Sequence, residues 1–191
     1  MNRRKYLKLI IALAGAGAGV VSLAKWFHLG SSSRADELWN KRSLLAELVE
    51  IIIPTTDSPG AKAALVHEYV INVILYCTDL RQQHDFYSSL QDVENYAMDE
   101  YGTIFLNCSV QQKSAVVEHF ANKADFYYPI VGKIRRKLLG EPFYTKLRHL
   151  TVEGYCQSEI GATKALQYDF IPGKFFSRVP VALHQKSWAT R

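Results

Sequence analysis

Cysteine is scarce in this sequence of 191 residues, which contains only Cys77, Cys108 and Cys156. No two of them form a Cys-x-x-Cys pair, the spacing typical of covalent haem attachment, iron–sulfur clusters and zinc knuckles. Glycine and proline are also infrequent, with 11 and 6 residues respectively. This composition excludes collagen-like, low-complexity and disordered chains and predicts one ordinary globular domain.

Motifs for a cofactor, a metal ion or a catalytic nucleophile are missing as well. The glycines at 15–19 lie near the N-terminus without a preceding strand, so they make no dinucleotide-binding site. His67-Glu68 begins like a zinc-protease helix, but Ile71 stands where the second histidine is needed. No Gly-x-Ser-x-Gly occurs, and no order of Ser, His and Asp identifies a triad. We therefore predict that this chain holds no cofactor and does no chemistry alone.

Acidic residues are absent from the N-terminal 24 residues, where the excess positive charge is concentrated. The whole chain has 23 basic and 18 acidic residues and a formal charge of +5. Residues 1–24 contain four of the basic residues, so the remainder, with 19 basic and 18 acidic residues, carries a net charge of only +1. Because the positive charge belongs mainly to this segment, we predict no nucleic-acid partner.

The N-terminal segment has the layout of an export signal. A positive stretch at 1–8 precedes sixteen uncharged residues at 9–24, which are too few for a membrane-spanning helix. An arginine pair is followed by an aromatic residue, an apolar residue and a lysine, namely Arg3, Arg4, Tyr6, Leu7 and Lys8. This pattern resembles the twin-arginine export motif. The resemblance implies export of folded cargo by the twin-arginine translocase to the periplasm.

Two fates of this segment are open. Ser22-Leu23-Ala24 has the small residues that cleavage after Ala24 requires. An uncleaved segment at 1–24 instead holds the protein to the membrane. In either case we expect residues 25–34 to form a linker and residues 35–191 to form a single helical domain.

Apolar residues beyond the linker recur at the three- and four-residue steps of amphipathic helices. The period predicts helices at about 35–53, 61–78, 82–101, 110–122, 127–139 and 142–158. Asp57 or Ser58 is expected to cap the second helix, with Pro59 in its first turn. No segment shows sustained two-residue alternation, so we predict an all-α fold, a compact bundle of about five to six helices.

The residues from Tyr168 onward form an extended C-terminal tail that is rich in aromatic residues and proline and has no helical period. Such a stretch cannot make a core of its own, so it must lie against another surface. It either wraps the bundle of its own chain or forms an arm that a partner covers. The sequence leaves both interpretations open.

Two long stretches carry a family resemblance. The first runs from Ile51 to Ala61 (IIIPTTDSPGA) and continues through Val66–Val70 (VHEYV). The second runs from Glu153 to Leu166 (EGYCQSEIGATKAL) and is followed by Tyr168 and Pro172-Gly173. Both resemble motifs of the gluconate 2-dehydrogenase subunit 3 family, whose members carry a similar twin-arginine start.

The resemblance implies a small, non-catalytic subunit of a membrane-associated complex that oxidises a sugar or sugar acid in the periplasm. In such complexes a large flavoprotein of the glucose–methanol–choline (GMC) oxidoreductase type holds FAD, and a cytochrome c subunit with haem c often takes the electrons. The small subunit supplies the export signal for the flavoprotein, which lacks one, and stabilises it. The resemblance does not identify the sugar.

The family pattern points to residues of two loops. In the first loop they are Pro54, Thr55, Asp57, Pro59, Gly60 and Ala61, and in the second Glu153, Gly154, Ser158, Glu159, Gly161 and Ala162. We assign them no catalytic role. Either they set loop and cap geometry or they face the flavoprotein, and the sequence does not decide between these interpretations.

Two other hypotheses remain. One is a stand-alone periplasmic enzyme with a metal or carboxylate site built from His67, His149, Glu153 and Glu159. The other is a membrane tether for a partner, which differs from the export subunit only in whether residues 1–24 persist.

The three cysteines would reach an oxidising periplasm, where one pair is allowed to form a disulfide. The sequence does not choose among the three pairings. Cys77 lies on the apolar face of its helix, so we expect it to be buried as a small apolar side chain.

Overall fold

The computed structural model describes residues 34–125, 141–171, 173–174, 177–178, 180–181 and 183–189. The export signal with Arg3, Arg4, Tyr6, Leu7 and Lys8, most of the linker and the predicted helix at 127–139 lie outside the described residues.

The described chain is built from helices, and no strand occurs within those ranges. In chain order they are α1 (Arg34–Asn40), α2 (Arg42–Ile52), α3 (Val66–Cys77), α4 (Leu80–Tyr101), a 3₁₀ helix (Phe105–Asn107), α5 (Val110–Asp125), α6 (Phe143–Gln157) and a π-helical turn (Gly161–Ala165). This confirms the prediction of an all-α bundle. None of the described helices has the length and apolar composition needed to cross a membrane.

Helix α6 packs against α2, α3 and α5, and α3 also packs against α2 and α4. The core consists of buried aliphatic side chains from each of these helices, among them Leu45, Leu48, Val49, Val70, Ile71, Ile74, Leu90, Val116 and Leu147. Burying an aliphatic side chain of this size contributes about 1.5–3 kcal/mol relative to leaving it in water. The apolar stripes of the amphipathic helices therefore supply most of the stability of the bundle.

Local hydrogen bonds fix the ends of α4 and α5. Asp79 caps α4 by accepting a hydrogen bond from the backbone N–H of Gln82 at 2.8 Å. Gly102 ends α4 in the left-handed conformation, with φ of 67°, which glycine adopts without a steric penalty. Ser109 and Gln112 begin α5 with a reciprocal capping box.

A carboxylate on α2 ties three parts of the bundle together. Glu47 pairs with Lys62, which precedes α3, and with Lys113 of α5 at 2.8 Å. The hydrogen bonds from Lys113 and Lys62 hold the pKa of Glu47 below its usual range. This ion-pair network fixes the segment before α3 to the sides of α2 and α5.

Two helix predictions need correction. The helix predicted at 35–53 is interrupted at Lys41, so that α1 and α2 are separate. The helix predicted at 61–78 begins only at Val66, because residues 61–65 form turns in which Ala61 N–H donates to Ile53 O at 2.9 Å. Asp57 and Ser58 therefore do not cap it. Leu65 occupies the cap position, with a left-handed φ of 54° and an exposed side chain.

The expectation that Cys77 is buried is wrong. Cys77 is the last residue of α3 and is exposed, as is Cys156, and all three cysteines are free. The buried one is Cys108, whose thiol lies 3.6 Å from the carbonyl oxygen of Ile104. The buried face of α3 ends at Ile74, one turn before Cys77. The spacing of apolar residues therefore did not predict the exposure of the last residue of the helix.

The described part of the tail folds back on itself. Gln167 pairs with Trp188 in a parallel bridge: Gln167 N–H donates to Ser187 O, and Ala189 N–H donates to Gln167 O, each at 2.8 Å. Between these paired ends the side chains of Phe170, Ile171, Val181 and Leu183 are 83, 79, 86 and 89% exposed. These four side chains therefore do not wrap the bundle of their own chain, and cover by a partner remains a prediction.

Candidate functional site

The two sequence motifs meet at one end of the bundle. Tyr155, buried in the last turn of α6, donates its phenolic hydrogen to the carbonyl oxygen of Pro59 at 2.6 Å, across 96 residues of sequence. Pro59 belongs to the loop between α2 and α3, which we call the first loop (residues 53–65). The hydrogen bond therefore fixes the first loop against the C-terminal end of α6.

A second contact joins the motifs one turn away. Tyr69, in the first turn of α3, lies against Gly154 of α6, and a Cβ added at Gly154 would stand 2.5 Å from Cδ1 of the tyrosine ring. Only glycine allows the two helices to approach this closely without displacing the ring. Burial and the nearby negative charge of Glu153 raise the pKa of Tyr69. The N-terminal end of α3 and the C-terminal end of α6 are thus packed together.

Glu50 organises the first loop from the last turn of α2. Its Oε1 accepts hydrogen bonds from the backbone N–H and the hydroxyl of Thr55, at 2.9 and 2.7 Å, and its Oε2 accepts from Lys62 N–H at 2.9 Å. A Cβ at Gly60 would stand 2.4 Å from Oε1 of Glu50, while Gly60 N–H donates to the Thr55 hydroxyl at 3.1 Å. Sequence reasoning missed Glu50, although an acidic residue one turn before a Pro-Thr-Thr sequence is a signal that could have identified it.

The second loop (residues 158–165) is a tight turn after α6. The hydroxyl of Ser158 donates to Tyr155 O at 2.7 Å and accepts a hydrogen bond from Gly161 N–H at 2.9 Å. A Cβ at Gly161 would lie 1.8 Å from the carbonyl oxygen of Tyr155, so the turn requires glycine here. Ser158 and Gly161 therefore set the geometry of the turn.

The predicted partner-facing residues divide into two groups. Pro59, Gly60, Ser158 and Gly161 make the contacts that shape the two loops, and Gly154 lies in α6 against the ring of Tyr69. The side chains of the second group are exposed, namely Pro54, Thr55, Asp57, Glu153 and Glu159.

Within this second group Thr55 is held by Glu50, and Glu153 accepts a long hydrogen bond of 3.4 Å from the Gln157 side chain. The carboxylates of Asp57 and Glu159 accept no hydrogen bond from the described part of the chain. The end of the bundle thus presents two charged side chains on loops whose backbones are fixed.

The residues proposed for a stand-alone active site are not organised as one. His67 is buried in α3, where burial lowers the pKa of its imidazole and its Nδ1 has no hydrogen-bond partner. His149 is exposed, and its Nδ1 lies 3.0 Å from Oε1 of Glu141. Among the residues that the structure describes, no three His, Cys, Asp or Glu side chains are arranged to hold a metal ion. The metal site of the second hypothesis therefore has no support in this part of the chain.

One cavity in the described part of the chain lies away from the motifs. It has a volume of about 270 Å³ and is lined by side chains of α4 and α6 together with Glu141. Lys146, in this lining, donates to Gln82 Oε1 at 3.0 Å, and burial lowers the pKa of Lys146. None of the residues in the two family motifs lines this cavity, so it does not extend the site.

Comparison with known families matches a single segment that includes both loops. The family model described as gluconate 2-dehydrogenase subunit 3 matches residues 40–173. No curated protein and no solved structure gives a significant match. The matched segment contains the first loop, the second loop and α2 to α6, and it begins at Asn40, the last residue of α1.

Proposed function

The chain belongs to the gluconate 2-dehydrogenase subunit 3 family, and on this basis we propose that it is the small, non-catalytic subunit of a periplasmic sugar or sugar-acid dehydrogenase complex. The family name describes one subunit of a dehydrogenase, so an accessory role beside other subunits follows from membership. The proposal adds a GMC-type flavoprotein that holds FAD as the catalytic partner. A cytochrome c subunit with haem c is the proposed electron acceptor.

The observation that carries this proposal is the preformed surface at one end of the bundle. The two family motifs, far apart in sequence, are fixed to each other through Tyr155 with Pro59 and Tyr69 with Gly154. Exposed side chains of Asp57 and Glu159 project from these fixed loops. A surface that is ordered before association loses little conformational entropy on binding, which favours a docking role for this end of the bundle. In the described part of the chain no group of metal-ligating side chains favours a catalytic site there instead.

The export role is the second part of the proposal. The twin-arginine segment at the N-terminus carries folded proteins across the membrane, so a partner bound at the two loops is exported together with this chain. Such export requires that the complex form in the cytoplasm. A stable docking surface on a chain with an export signal supports this order of events.

Co-expression with the GMC-type flavoprotein of the same organism tests the proposal. We expect the two proteins to co-purify and the flavoprotein to retain dye-linked dehydrogenase activity that it loses when expressed alone. Asp57→Lys combined with Glu159→Lys is expected to weaken co-purification, whereas Glu118→Lys, which changes an exposed carboxylate on α5, is the matched control and leaves it unchanged. A flavoprotein that is exported and fully active without this chain would contradict the proposal.

A further inference from the structure

Four highly exposed apolar side chains cluster in the tail. Phe170, Ile171, Val181 and Leu183, which we call the tail patch, are each more than three-quarters exposed. Single exposed apolar side chains are normal on protein surfaces, but several in one short segment mark an interaction site. Next to the patch, an open groove is lined by Leu166, Tyr168, Pro180, Leu183 and Trp188, among other residues.

The tail patch is carried by a loop with fixed ends. Backbone hydrogen bonds join Gln167 to Ser187 and Ala189, and the ammonium group of Lys186 donates to the carbonyl oxygen of Lys164 in the second loop. The groove beside the patch is lined by Thr163 of the second loop as well as by Leu183. The Leu183 side of the patch therefore adjoins the end of the bundle where the two family motifs meet.

The charge of the tail restricts the chemistry of its partner. From Phe170 to the C-terminus the sequence contains Lys174, Arg178, Lys186 and Arg191 and no acidic residue. Apolar side chains surrounded by basic ones match a surface with an apolar centre and an acidic rim. The first loop contains Asp57 and Lys62 and the second loop contains Glu159 and Lys164, so the loops carry no net charge and the excess of positive charge at this end belongs to the tail.

We propose that the tail patch and its groove are a second docking segment for the flavoprotein subunit, which covers them with an apolar surface that has an acidic rim. This inference rests on the proposed function, because it is the proposed partner of the two loops that reaches the adjoining tail. Phe170 and Ile171 lie within the matched family segment, residues 40–173, whereas Val181 and Leu183 lie beyond it. The contact that Val181 and Leu183 make is therefore not part of the matched segment.

A bilayer is an alternative occupant of the patch. One acyl chain gives only marginal and reversible membrane binding, and the basic residues of the tail supply the second signal that attachment to anionic lipid needs. In a protein interface the same four side chains add to contacts that the two loops already make. Continuity with the loops therefore favours the flavoprotein.

Two pairs of substitutions in the full chain test the inference. Phe170→Ser with Ile171→Ser, and Val181→Ser with Leu183→Ser, remove the two halves of the patch, while Tyr76→Ser with Val110→Ser removes two similarly exposed apolar side chains of α3 and α5 as the control. Binding to the purified flavoprotein is measured by calorimetric titration. We expect each tail pair to weaken binding at least about tenfold and the control pair to change it less than about twofold.

The outcomes separate the two proposals. If the unmodified chain binds the flavoprotein and both tail pairs bind equally well, the tail inference is wrong and the proposed function stands. If the unmodified chain does not bind the flavoprotein at all, the proposed function is wrong and the inference fails with it. If the tail pairs keep their affinity for the flavoprotein but lose binding to vesicles of anionic phospholipid, the inference is overturned in favour of a membrane. If they keep that affinity but lose self-association in light scattering, it is overturned in favour of a second copy.

Discussion

Three glycines at the end of the bundle where the two motifs meet lie so close to another group that an added Cβ would contact it. These three groups differ in how far they can move. The neighbour of Gly60 is the carboxylate of Glu50, the neighbour of Gly154 is the ring of Tyr69, and the neighbour of Gly161 is the backbone carbonyl of Tyr155. A carboxylate on a long side chain shifts easily, a packed ring shifts less, and a backbone carbonyl shifts only if the turn changes. The tolerance of these positions to alanine should therefore fall in that order.

Gly154→Ala tests the close packing of α3 on α6. The new Cβ would stand 2.5 Å from the ring of Tyr69, so we expect the ring to be displaced and the free energy of unfolding to fall by about 1–3 kcal/mol. Gly173→Ala is the control, because a Cβ there has no atom within 4 Å, and it should leave stability unchanged or slightly raised. Urea unfolding followed by circular dichroism measures both. Equal unfolding midpoints for the two variants would show that the ring yields freely.

His67 makes the stability of the bundle depend on pH. Burial lowers the pKa of His67 below its ordinary value of 6.5 in the folded protein. Because the unfolded chain binds the proton at a higher pH than the folded protein does, protonation of His67 favours unfolding. The stability that neutral His67 contributes is therefore fully present above about pH 6.5 and is lost as the pH falls through the folded-state pKa.

His67→Leu should remove this part of the acid sensitivity. Because Nδ1 has no partner, we expect the variant to be at least as stable as the unmodified protein near neutral pH. His84→Gln, which changes an exposed histidine of α4, should keep the dependence. The measurement is the free energy of unfolding as a function of pH, and an identical slope below about pH 6.5 for His67→Leu and the unmodified protein would refute this assignment.

At the scale of elements, the first loop depends on one carboxylate. Glu50 accepts three hydrogen bonds, two from Thr55 and one from Lys62, and they use both of its oxygens. Glutamine has one oxygen and one NH₂ group, so in either orientation Glu50→Gln places a donor opposite a donor. We expect the loop to lose about 1–2 kcal/mol of local stability while the core of α2, α3 and α6 stays intact.

Hydrogen exchange measures this effect. The amide hydrogens of Thr55 and Lys62 should exchange about tenfold faster in Glu50→Gln, whereas amide hydrogens in α6 should not change. Glu94→Gln is the matched control, because Glu94 pairs with Lys41 and makes no contact with the loop. Unchanged exchange at Thr55 and Lys62 would mean that the loop is held by its other contacts.

The helices that the sequence predicted well each have an apolar stripe, and α4 and α5 also have a side-chain cap at the N-terminus. The predictions of 82–101, 110–122 and 142–158 agree within a few residues with α4, α5 and α6. The prediction failed at 61–65, where the backbone N–H groups of Ala61 and Lys62 donate to Ile53 O and to the Glu50 carboxylate and so hold the chain in turns. The spacing of apolar residues contains no information about such hydrogen bonds, because they depend on how α2 and the first loop fold together.

The candidate site was predictable as a set of residues but not as an arrangement. The sequence motifs identified both loops, and the structure joins them through Tyr155 with Pro59 and Tyr69 with Gly154. These pairs arise from the packing of α3 on α6, which no local pattern specifies. The division of the motif residues into those that shape the loops and those that are exposed therefore required the structure.

For the whole molecule, we propose that export of the complex depends on the N-terminal arginine pair. Arg3→Lys combined with Arg4→Lys keeps the positive charge but removes the pair, so we expect this chain and the flavoprotein to remain together in the cytoplasm. Lys5→Arg is the control that keeps the pair. Cell fractionation with detection of both proteins gives the result, and a flavoprotein that still reaches the periplasm with the double variant would contradict the export role.

The fate of residues 1–24 distinguishes an export subunit from a membrane tether. We propose that cleavage after Ala24 releases the mature chain, which then carries a net charge of only +1. Intact mass measurement of the exported chain is the direct test. A mass that includes the first 24 residues would assign the protein to the tether hypothesis.

The pairing of Gln167 with Trp188 also affects the thermodynamics of assembly. A free tail of this length would lose backbone conformational entropy when a partner ordered it, at about 1–2 kcal/mol for each residue fixed. Because the two ends of the loop are already paired in the folded chain, part of this entropy is lost during folding and not on binding. The entropic cost of closing such a loop grows only slowly with its length. A longer or shorter segment between the paired ends should therefore change the entropic cost of closing the loop only slightly.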